Sequence, residues 1–170
     1  MADVLETTVS RLAPRADAPL THEQRTTISR LEQFEAPYLE TRLLSDGVFE
    51  TKHAYKEAFT EFKRYAGLFA AFKEPLGMLS KQVDEVWHQF ILFTKKYHNF
   101  CDNFLGDYMH HVPGTPDSPV SPESKELFVK RYNEVFGDLH PIWDRNAPCT
   151  NCCSESDCAS CGNDGNGGED

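Results

Sequence analysis

The sequence predicts an all-α fold: a single irregular bundle of about four to five helices, with a disordered N-terminal arm and a Cys/Gly-rich C-terminal tail. Apolar residues recur with the 3.6-residue period of a helix in several long segments. All twelve Phe, six Tyr and two Trp residues lie between Phe34 and Trp143, whereas both ends are poor in side chains that could pack. We therefore expect a flexible arm over residues 1–20, a helical domain over 21–143 and an acidic tail over 144–170.

Capping and turn signals predict the first helices. Thr21 and Gln24 form a capping box, which indicates a helix from about residue 22 to residue 35. Pro37 either ends this helix or occupies the first turn of another one. The pair Asp46-Gly47 then marks a stop.

A long helix is predicted from Val48 to about Phe72. Its aromatic and alanine residues fall on one face of a helical wheel centred on Phe62, which indicates the side that packs against the core. Glu50, His53, Glu57 and Glu61 lie to the side or rear of this face.

The next helix is predicted from about Lys81 to Phe104, with Ser80 as its N-cap. It is expected to be the central, most buried helix, because a second apolar flank accompanies its main core stripe. The stripe consists of Val83, Val86, Phe90, Phe93, Tyr97, Phe100, Cys101 and Phe104, and the flank of Trp87, Ile91 and Thr94.

Prolines recur every three residues over 113–122, which matches the turn of a polyproline II helix. We interpret this segment as a stiff surface connection, and a ligand for an aromatic groove is the alternative. A Ser-Pro-Glu start and the stop at Gly137 predict a last helix over 121–136. Ile142 and Trp143 are then expected to pin the chain back onto the bundle.

The charge of the chain argues against several classes of partner. The formal net charge is -10, so phosphate backbones and anionic membrane surfaces repel the chain, and we expect no nucleic acid and no membrane as partners. No stretch approaches eighteen consecutive apolar residues, and the first twenty residues lack the apolar run of a secretory signal. We therefore expect a cytoplasmic protein, in which closely spaced cysteines bind metal or do redox chemistry.

The strongest chemical signal is a cluster of five cysteines in the tail. A first hook, Cys149/Cys152, and a second hook, Cys158/Cys161, could place four thiolates around one zinc or similar soft ion, with Cys153 spare. An iron–sulfur cluster is an alternative, because the last three cysteines have ferredoxin spacing but no further cysteine follows. A tail of free thiols without metal is the remaining interpretation.

A second candidate site involves histidines. Asp84 and His88 are four residues apart and so share one face of the predicted helix. They could bind a metal jointly, or Asp84 could orient the His88 imidazole for acid–base chemistry. His110 and His111, beyond the end of the helix, could fold back to complete a site. An ordinary helix-face hydrogen bond and two loop histidines would explain the same residues without a function.

A family resemblance rests on the segment Val83-Asp84-Glu85-Val86-Trp87-His88, followed by Tyr97, Phe100-Cys101, Gly106, His110-His111 and Pro113. In these residues the chain resembles an uncharacterised family, the glycine-rich-domain-containing-like proteins, over about half its length. The resemblance implies a helical domain but no established reaction. The family often has a second histidine two residues after the first, where this chain has Phe90. With the resemblance, the candidate pocket consists of Asp84, Trp87, His88, His110 and His111, with Trp87 as its apolar wall.

Three hypotheses for function follow. The first is a small helical metal-binding or partner-binding module whose C-terminal cysteine cluster binds zinc or a similar soft metal. The second is an enzyme that uses a pocket of Asp84, His88 and His110 for acid–base or metal-assisted chemistry. The third is a helical adaptor whose proline-spaced loop docks a protein partner. The sequence alone does not decide between an enzyme and a binding module.

Overall fold

The described part of the protein is built from helices. A computed structural model describes residues 12–112, 114, 117 and 119–144. Within these residues there are six α-helices and no strand, which confirms the all-α prediction. The helices are α1 (His22–Arg30), α2 (Pro37–Ser45), α3 (Lys52–Phe72), α4 (Lys81–Leu92), α5 (Thr94–Phe100) and α6 (Pro122–Phe136). In this part of the chain no helix is long and apolar enough to cross a membrane.

Local capping chemistry determines where the helices begin. The Thr21 hydroxyl accepts a hydrogen bond from the Gln24 backbone N–H at 3.1 Å, and the Gln24 side-chain oxygen accepts one from the Thr21 N–H at 2.9 Å. Thr51, Ser80 and Ser121 cap α3, α4 and α6 with their hydroxyl oxygens. Each cap satisfies a backbone N–H group that has no partner within its helix.

The α1 helix is shorter than predicted, and a 3-10 turn, Leu31–Gln33, follows it directly. Pro37 then begins α2 at its first position, where the missing N–H of proline costs nothing. α2 ends at Ser45, and Gly47 adopts a φ of +71° in the turn that follows. A left-handed φ of this kind favours glycine, so the predicted stop is confirmed.

The α3 helix takes the central position that the sequence predicted for the helix after it. It packs against α1, α2 and α4, and every residue from Glu61 to Leu68 is buried. α1 and the 3-10 turn after it approach α3 closely at Gly67, where an added Cβ would lie 3.3 Å from Ile28 Cγ1 and 3.2 Å from Leu31 Cδ1. Rings from every part of the domain then fill the core around this helix, including Phe34, Phe62, Phe90 and Phe100.

The predicted helix from Lys81 to Phe104 is divided at Phe93 into α4 and α5. Phe93 has a ψ of 57°, outside the helical region, and its ring packs 5.0 Å from the Tyr38 ring. A π-helical turn, Cys101–Leu105, continues α5 and ends at Gly106. Periodicity could not reveal the break, because an apolar residue at position 93 fits the pattern of an uninterrupted helix equally well.

Residues 12–20, which we expected to belong to a flexible arm, pack against the bundle. Leu12 is 4% exposed, and the Arg15 backbone N–H donates to the Val135 carbonyl of α6 at 2.8 Å. From α1, the Arg25 guanidinium donates to the Arg15 carbonyl at 2.8 Å. Composition did not predict this packing, because two buried side chains, Leu12 and Ala18, and a few bonds to backbone carbonyls are enough to hold the segment.

A buried ionic network ties α3 to the C-terminal part of the domain. Glu61 is 1% exposed, and its Oε2 atom accepts hydrogen bonds from the Tyr132 hydroxyl at 2.8 Å and from the Trp143 indole N–H at 2.7 Å. The Arg64 guanidinium donates to Glu61 Oε1 at 2.9 Å. A buried carboxylate requires such partners. Trp143 therefore pins the chain to the bundle as predicted, and Glu61, which the helical wheel places to the side or rear of the apolar face, is buried by these partners.

Replacing Glu61 with Gln should lower the free energy of unfolding by about 3–5 kcal/mol, the usual cost of removing one member of a buried ion pair. Urea unfolding monitored by tryptophan fluorescence measures this change. Glu57→Gln is the matched control, because Glu57 lies one turn earlier on α3 with its side chain 44% exposed. The control should change stability by less than about 0.5 kcal/mol. Equal losses in both variants would contradict the role assigned to the network.

Candidate metal centre

The first two residues of the candidate metal centre, Asp84 and His88, come from α4. Ser80 caps this helix by accepting from the Val83 N–H at 3.3 Å, so Asp84 lies in its first turn. The four-residue spacing places the His88 Nε2 atom 3.4 Å from Asp84 Oδ2. The helical period alone therefore brings these two groups together, as the sequence predicts.

The third residue, His111, comes from the irregular segment after the π-helical turn. Its Nε2 atom lies 2.7 Å from Asp84 Oδ1, and its side chain is 10% exposed. The imidazole packs edge-on against the Trp87 indole and tilted against the His88 ring, with 4.4 Å between centroids in each case. One ligand atom from each of Asp84, His88 and His111 lies within 4.8 Å of the other two.

A buried hydrogen-bond relay holds the segment that carries His111 against α4. The Trp87 indole N–H donates to the Tyr97 hydroxyl at 2.8 Å, and this hydroxyl donates to the Met109 carbonyl. Met109 is 1% exposed and precedes His111 by two residues. Burial raises the pKa of the Tyr97 phenol far above its usual range, so the hydroxyl keeps the proton that it donates.

The turn before this segment depends on glycine. Gly106 has a φ of +70°, and its N–H donates to the Cys101 carbonyl at 2.9 Å, which closes the π-helical turn. A residue with a Cβ is strained in this left-handed conformation. Gly106 therefore lets the chain turn after residue 105 and return towards α4 with Met109 and His111.

The three groups suit a transition-metal ion. Two imidazole nitrogens and one carboxylate oxygen are ligands that zinc and comparable ions accept. In a tetrahedral site with metal–ligand bonds of about 2.0–2.1 Å, the ligand atoms lie about 3.3 Å apart. The distance from Asp84 Oδ2 to His88 Nε2, 3.4 Å, matches this separation, and the distance from Asp84 Oδ1 to His111 Nε2, 2.7 Å, is shorter.

The candidate metal centre is open on one side. The side chain of His88 is 45% exposed and that of Asp84 is 27% exposed, whereas Trp87 is 4% exposed and closes the rear. Three protein ligands on an ion that prefers four leave one position for another group. The exposed His88 side is where that group can approach.

The structure does not bring every predicted residue to this point. His110 is exposed, and its ring packs 4.7 Å from the Tyr108 ring rather than beside Asp84. The structure therefore brings His111, rather than His110, to the position beside α4. Among the described residues, no other group of three His, Cys, Asp or Glu side chains has the spacing of a metal site.

The cysteine site predicted in the tail does not share residues with the candidate metal centre. The five cysteines on which it depends all lie outside the described residues, and they are Cys149, Cys152, Cys153, Cys158 and Cys161. The structure thus gives no geometry for either hook. Zinc binding by these thiolates, and the alternative of an iron–sulfur cluster, stay predictions from spacing alone.

Cys101 is fully buried, and burial raises the pKa of its thiol, so its environment is that of a packing residue rather than a nucleophile.

Sequence analysis missed Met109, whose carbonyl anchors the His111 segment. No sequence signal could have revealed it, because the contact uses a backbone atom. Tyr97 was expected only as a core residue, although its hydroxyl makes the decisive bonds.

Comparison with known proteins gives a family match. A family model described as UCP032817-like matches residues 25–128. The match covers more than half of the chain and includes Asp84, His88 and His111 as well as Trp87 and Tyr97. Neither the curated proteins nor the solved structures gave a significant match. The comparisons therefore identify the family of the chain but indicate no reaction for it.

Replacing Tyr97 with Phe should release Met109 and move His111 away from Asp84, and should cost about 1–3 kcal/mol of stability through the lost buried hydrogen bonds. Urea unfolding gives the stability, and the nitrogen and proton resonances of the His111 ring report its contact with Asp84.

Tyr65→Phe is the matched control for this change. The Tyr65 hydroxyl is also buried and also donates to a backbone carbonyl, that of Leu76, at 2.7 Å. Its ring also packs against Trp87, at 5.4 Å. The control should lose similar stability and leave the His111 resonances unchanged. A similar change of these resonances in both variants would show that the relay does not position His111.

Proposed function

The chain belongs to the UCP032817-like family, and from this premise and the geometry of the site we propose that its helical domain is a metal-binding module. The module holds one zinc or similar divalent ion between Asp84, His88 and His111. The observation that carries this proposal is the convergence of these three side chains from two separate parts of the chain. The finer resemblance, to glycine-rich-domain-containing-like proteins, remains a prediction.

The surroundings of the three groups support metal binding over an incidental contact. One carboxylate faces two imidazoles, each of its oxygens directed at a different ring nitrogen. The Trp87–Tyr97–Met109 relay fixes the segment that carries His111, as partners around metal ligands commonly do. A surface histidine without a role would not need this support.

An enzyme is the second candidate, and one observation favours it. Asp84 lies 2.7 Å from His111, whose side chain is only 10% exposed, and this contact is shorter than the 3.4 Å contact of Asp84 with His88. A carboxylate at this distance can orient an imidazole for acid–base work. The open position of a bound ion could likewise hold a reacting water. Within the described residues, His110, which the sequence analysis included in this pocket, packs against the Tyr108 ring instead.

Other proposals concern residues wholly or partly outside the described part of the chain. The cysteine tail is proposed to bind zinc or a similar soft ion, on the support of its two C-x2-C hooks. The proline-spaced segment 113–122 is proposed as a docking site for a protein partner, because its prolines recur every three residues.

A cytoplasmic location and the exclusion of nucleic acid are also proposals, and both rest on the charge and composition of the chain.

The core site is tested in a full-length chain in which all five tail cysteines are replaced by Ser. This variant should bind one zinc ion per chain in a calorimetric titration. His111→Ala should weaken binding by more than about 10–100-fold, the usual effect of losing an outer-sphere partner, because here a ligand itself is lost. Binding should also weaken as the pH falls, since protons compete for the imidazole nitrogens.

His110→Ala in the same chain is the control, because it removes the neighbouring histidine that lies outside the cluster. The control should bind zinc as the parent does. Equal weakening by the two substitutions, or no zinc binding by the parent, would reject the core metal site. Thermal unfolding of each variant in the absence of metal separates a lost ligand from a lost fold.

A further inference from the structure

The candidate metal centre combines two histidines with one carboxylate. Asp84, His88 and His111 supply these groups, and in the described residues no further His, Cys, Asp or Glu side chain joins them. Zinc takes such a set together with one further group in a tetrahedral arrangement. Ferrous iron takes the same set on one face of an octahedron, which leaves the other positions open. The angles between the ligands therefore distinguish the two ions.

The distance between the two imidazole rings favours the octahedral arrangement. With metal–nitrogen bonds of about 2.1 Å, the centre of each ring lies roughly 3.2 Å from the ion. Two such rings are about 4.5 Å apart when they meet the ion at about 90°, as in an octahedron, and about 5.2 Å apart at the tetrahedral angle. The ring centres of His88 and His111 are 4.4 Å apart. This distance fits two adjacent positions of an octahedron.

The contacts of Asp84 do not decide between the two arrangements. Its Oδ2 atom lies 3.4 Å from His88 Nε2, which fits the tetrahedral separation, whereas its Oδ1 atom lies 2.7 Å from His111 Nε2. The shorter distance is that of a hydrogen bond, which a bound ion would replace. Each contact also uses a different oxygen of the carboxylate. The ring distance is therefore the more informative measure.

Packing restrains the rings at this distance. The His111 ring lies edge-on against Trp87, and the Met109 carbonyl two residues earlier accepts from the buried Tyr97 hydroxyl. The tetrahedral spacing would require the rings of His88 and His111 to separate by roughly 0.8 Å more. Such restraint matters because ligand affinity alone favours zinc over ferrous iron, so selection of iron depends on geometry.

The centre is accessible to the additional ligands of a six-coordinate ion. The side chain of His88 is 45% exposed and that of Asp84 is 27% exposed, whereas that of His111 is 10% exposed. The three ligands thus belong to the protein side of the centre, and further ligands can approach from solvent. A closed tetrahedral site would need a fourth side chain, and none of the residues that the structure describes provides it.

We propose that Asp84, His88 and His111 hold ferrous iron on one face of an octahedron and that this iron binds dioxygen. This inference rests on the metal-binding function proposed above and specifies its ion and its ligand. On binding, one bond forms between the iron and an oxygen atom, and one water molecule leaves the iron. The remaining open positions can take an organic substrate beside the dioxygen, as in non-haem iron oxygenases.

The experiment uses the full-length chain with its five tail cysteines replaced by Ser, loaded with ferrous iron in the absence of oxygen. Nitric oxide is the probe, because it binds ferrous iron in place of dioxygen and the complex gives a characteristic electron paramagnetic resonance signal. The parent should bind one iron per chain and give this signal. His111→Ala should lose the signal, and the matched control His110→Ala should keep it.

A second variant and a second ion complete the test. His88→Ala should also lose the nitrosyl signal, and it removes a ligand whose side chain is 45% exposed, so the core stays intact. Cobalt(II) in the parent reports the coordination number, because six-coordinate cobalt absorbs visible light weakly and four-coordinate cobalt absorbs it strongly. The parent should give the weak spectrum.

The outcomes separate this inference from the metal-binding function on which it rests. Zinc binding through His111 without a nitrosyl signal, or a strong four-coordinate cobalt spectrum, would overturn the inference and leave the metal-binding module in place. A parent that binds neither zinc nor iron would reject both. A nitrosyl signal that persists in His88→Ala and His111→Ala would place the iron elsewhere in the chain and would also overturn the inference.

Discussion

Two hydrogen bonds at the Tyr97 hydroxyl hold together the two segments that form the candidate metal centre. One bond comes from the Trp87 indole on α4, and the other runs to the Met109 carbonyl in the segment after the π-helical turn. Both lie in the interior, where water cannot replace a bond that is broken. Because Met109 precedes His111 by two residues, the segment has little freedom to carry His111 away from Asp84. The position of the site is therefore a consequence of core packing.

A second buried polar group, Glu61, holds the C-terminal end of the domain against α3. It joins α3 to α6 and to the 3-10 turn Pro141–Trp143. The Tyr65 ring lies between the two networks and contacts both Trp87 and Trp143. Polar groups in such an aromatic interior are costly unless all their bonds are made, so they select one arrangement of the chain. The candidate metal centre and the 3-10 turn Pro141–Trp143 are thus positioned by one connected cluster.

The open side of the candidate metal centre is the feature on which its role depends. Trp87 and the largely buried His111 close the inner side of the centre, while His88 and Asp84 are accessible to solvent. An ion held there would take a further ligand from solvent or from a substrate. A binding module and an enzyme differ in which of these groups occupies the position, whereas the three candidate ligands are common to both.

The sequence by itself determined the features that depend on neighbouring residues. The capping box of Thr21 and the shared face of Asp84 and His88 involve side chains three or four residues apart, so helical geometry alone relates them. Only the tertiary structure decided between His110 and His111, because adjacent residues in an irregular segment carry no period that shows which one faces a helix. The burial of Glu61 could not be predicted from the sequence either, because its partners Tyr132 and Trp143 lie 71 and 82 residues away along the chain.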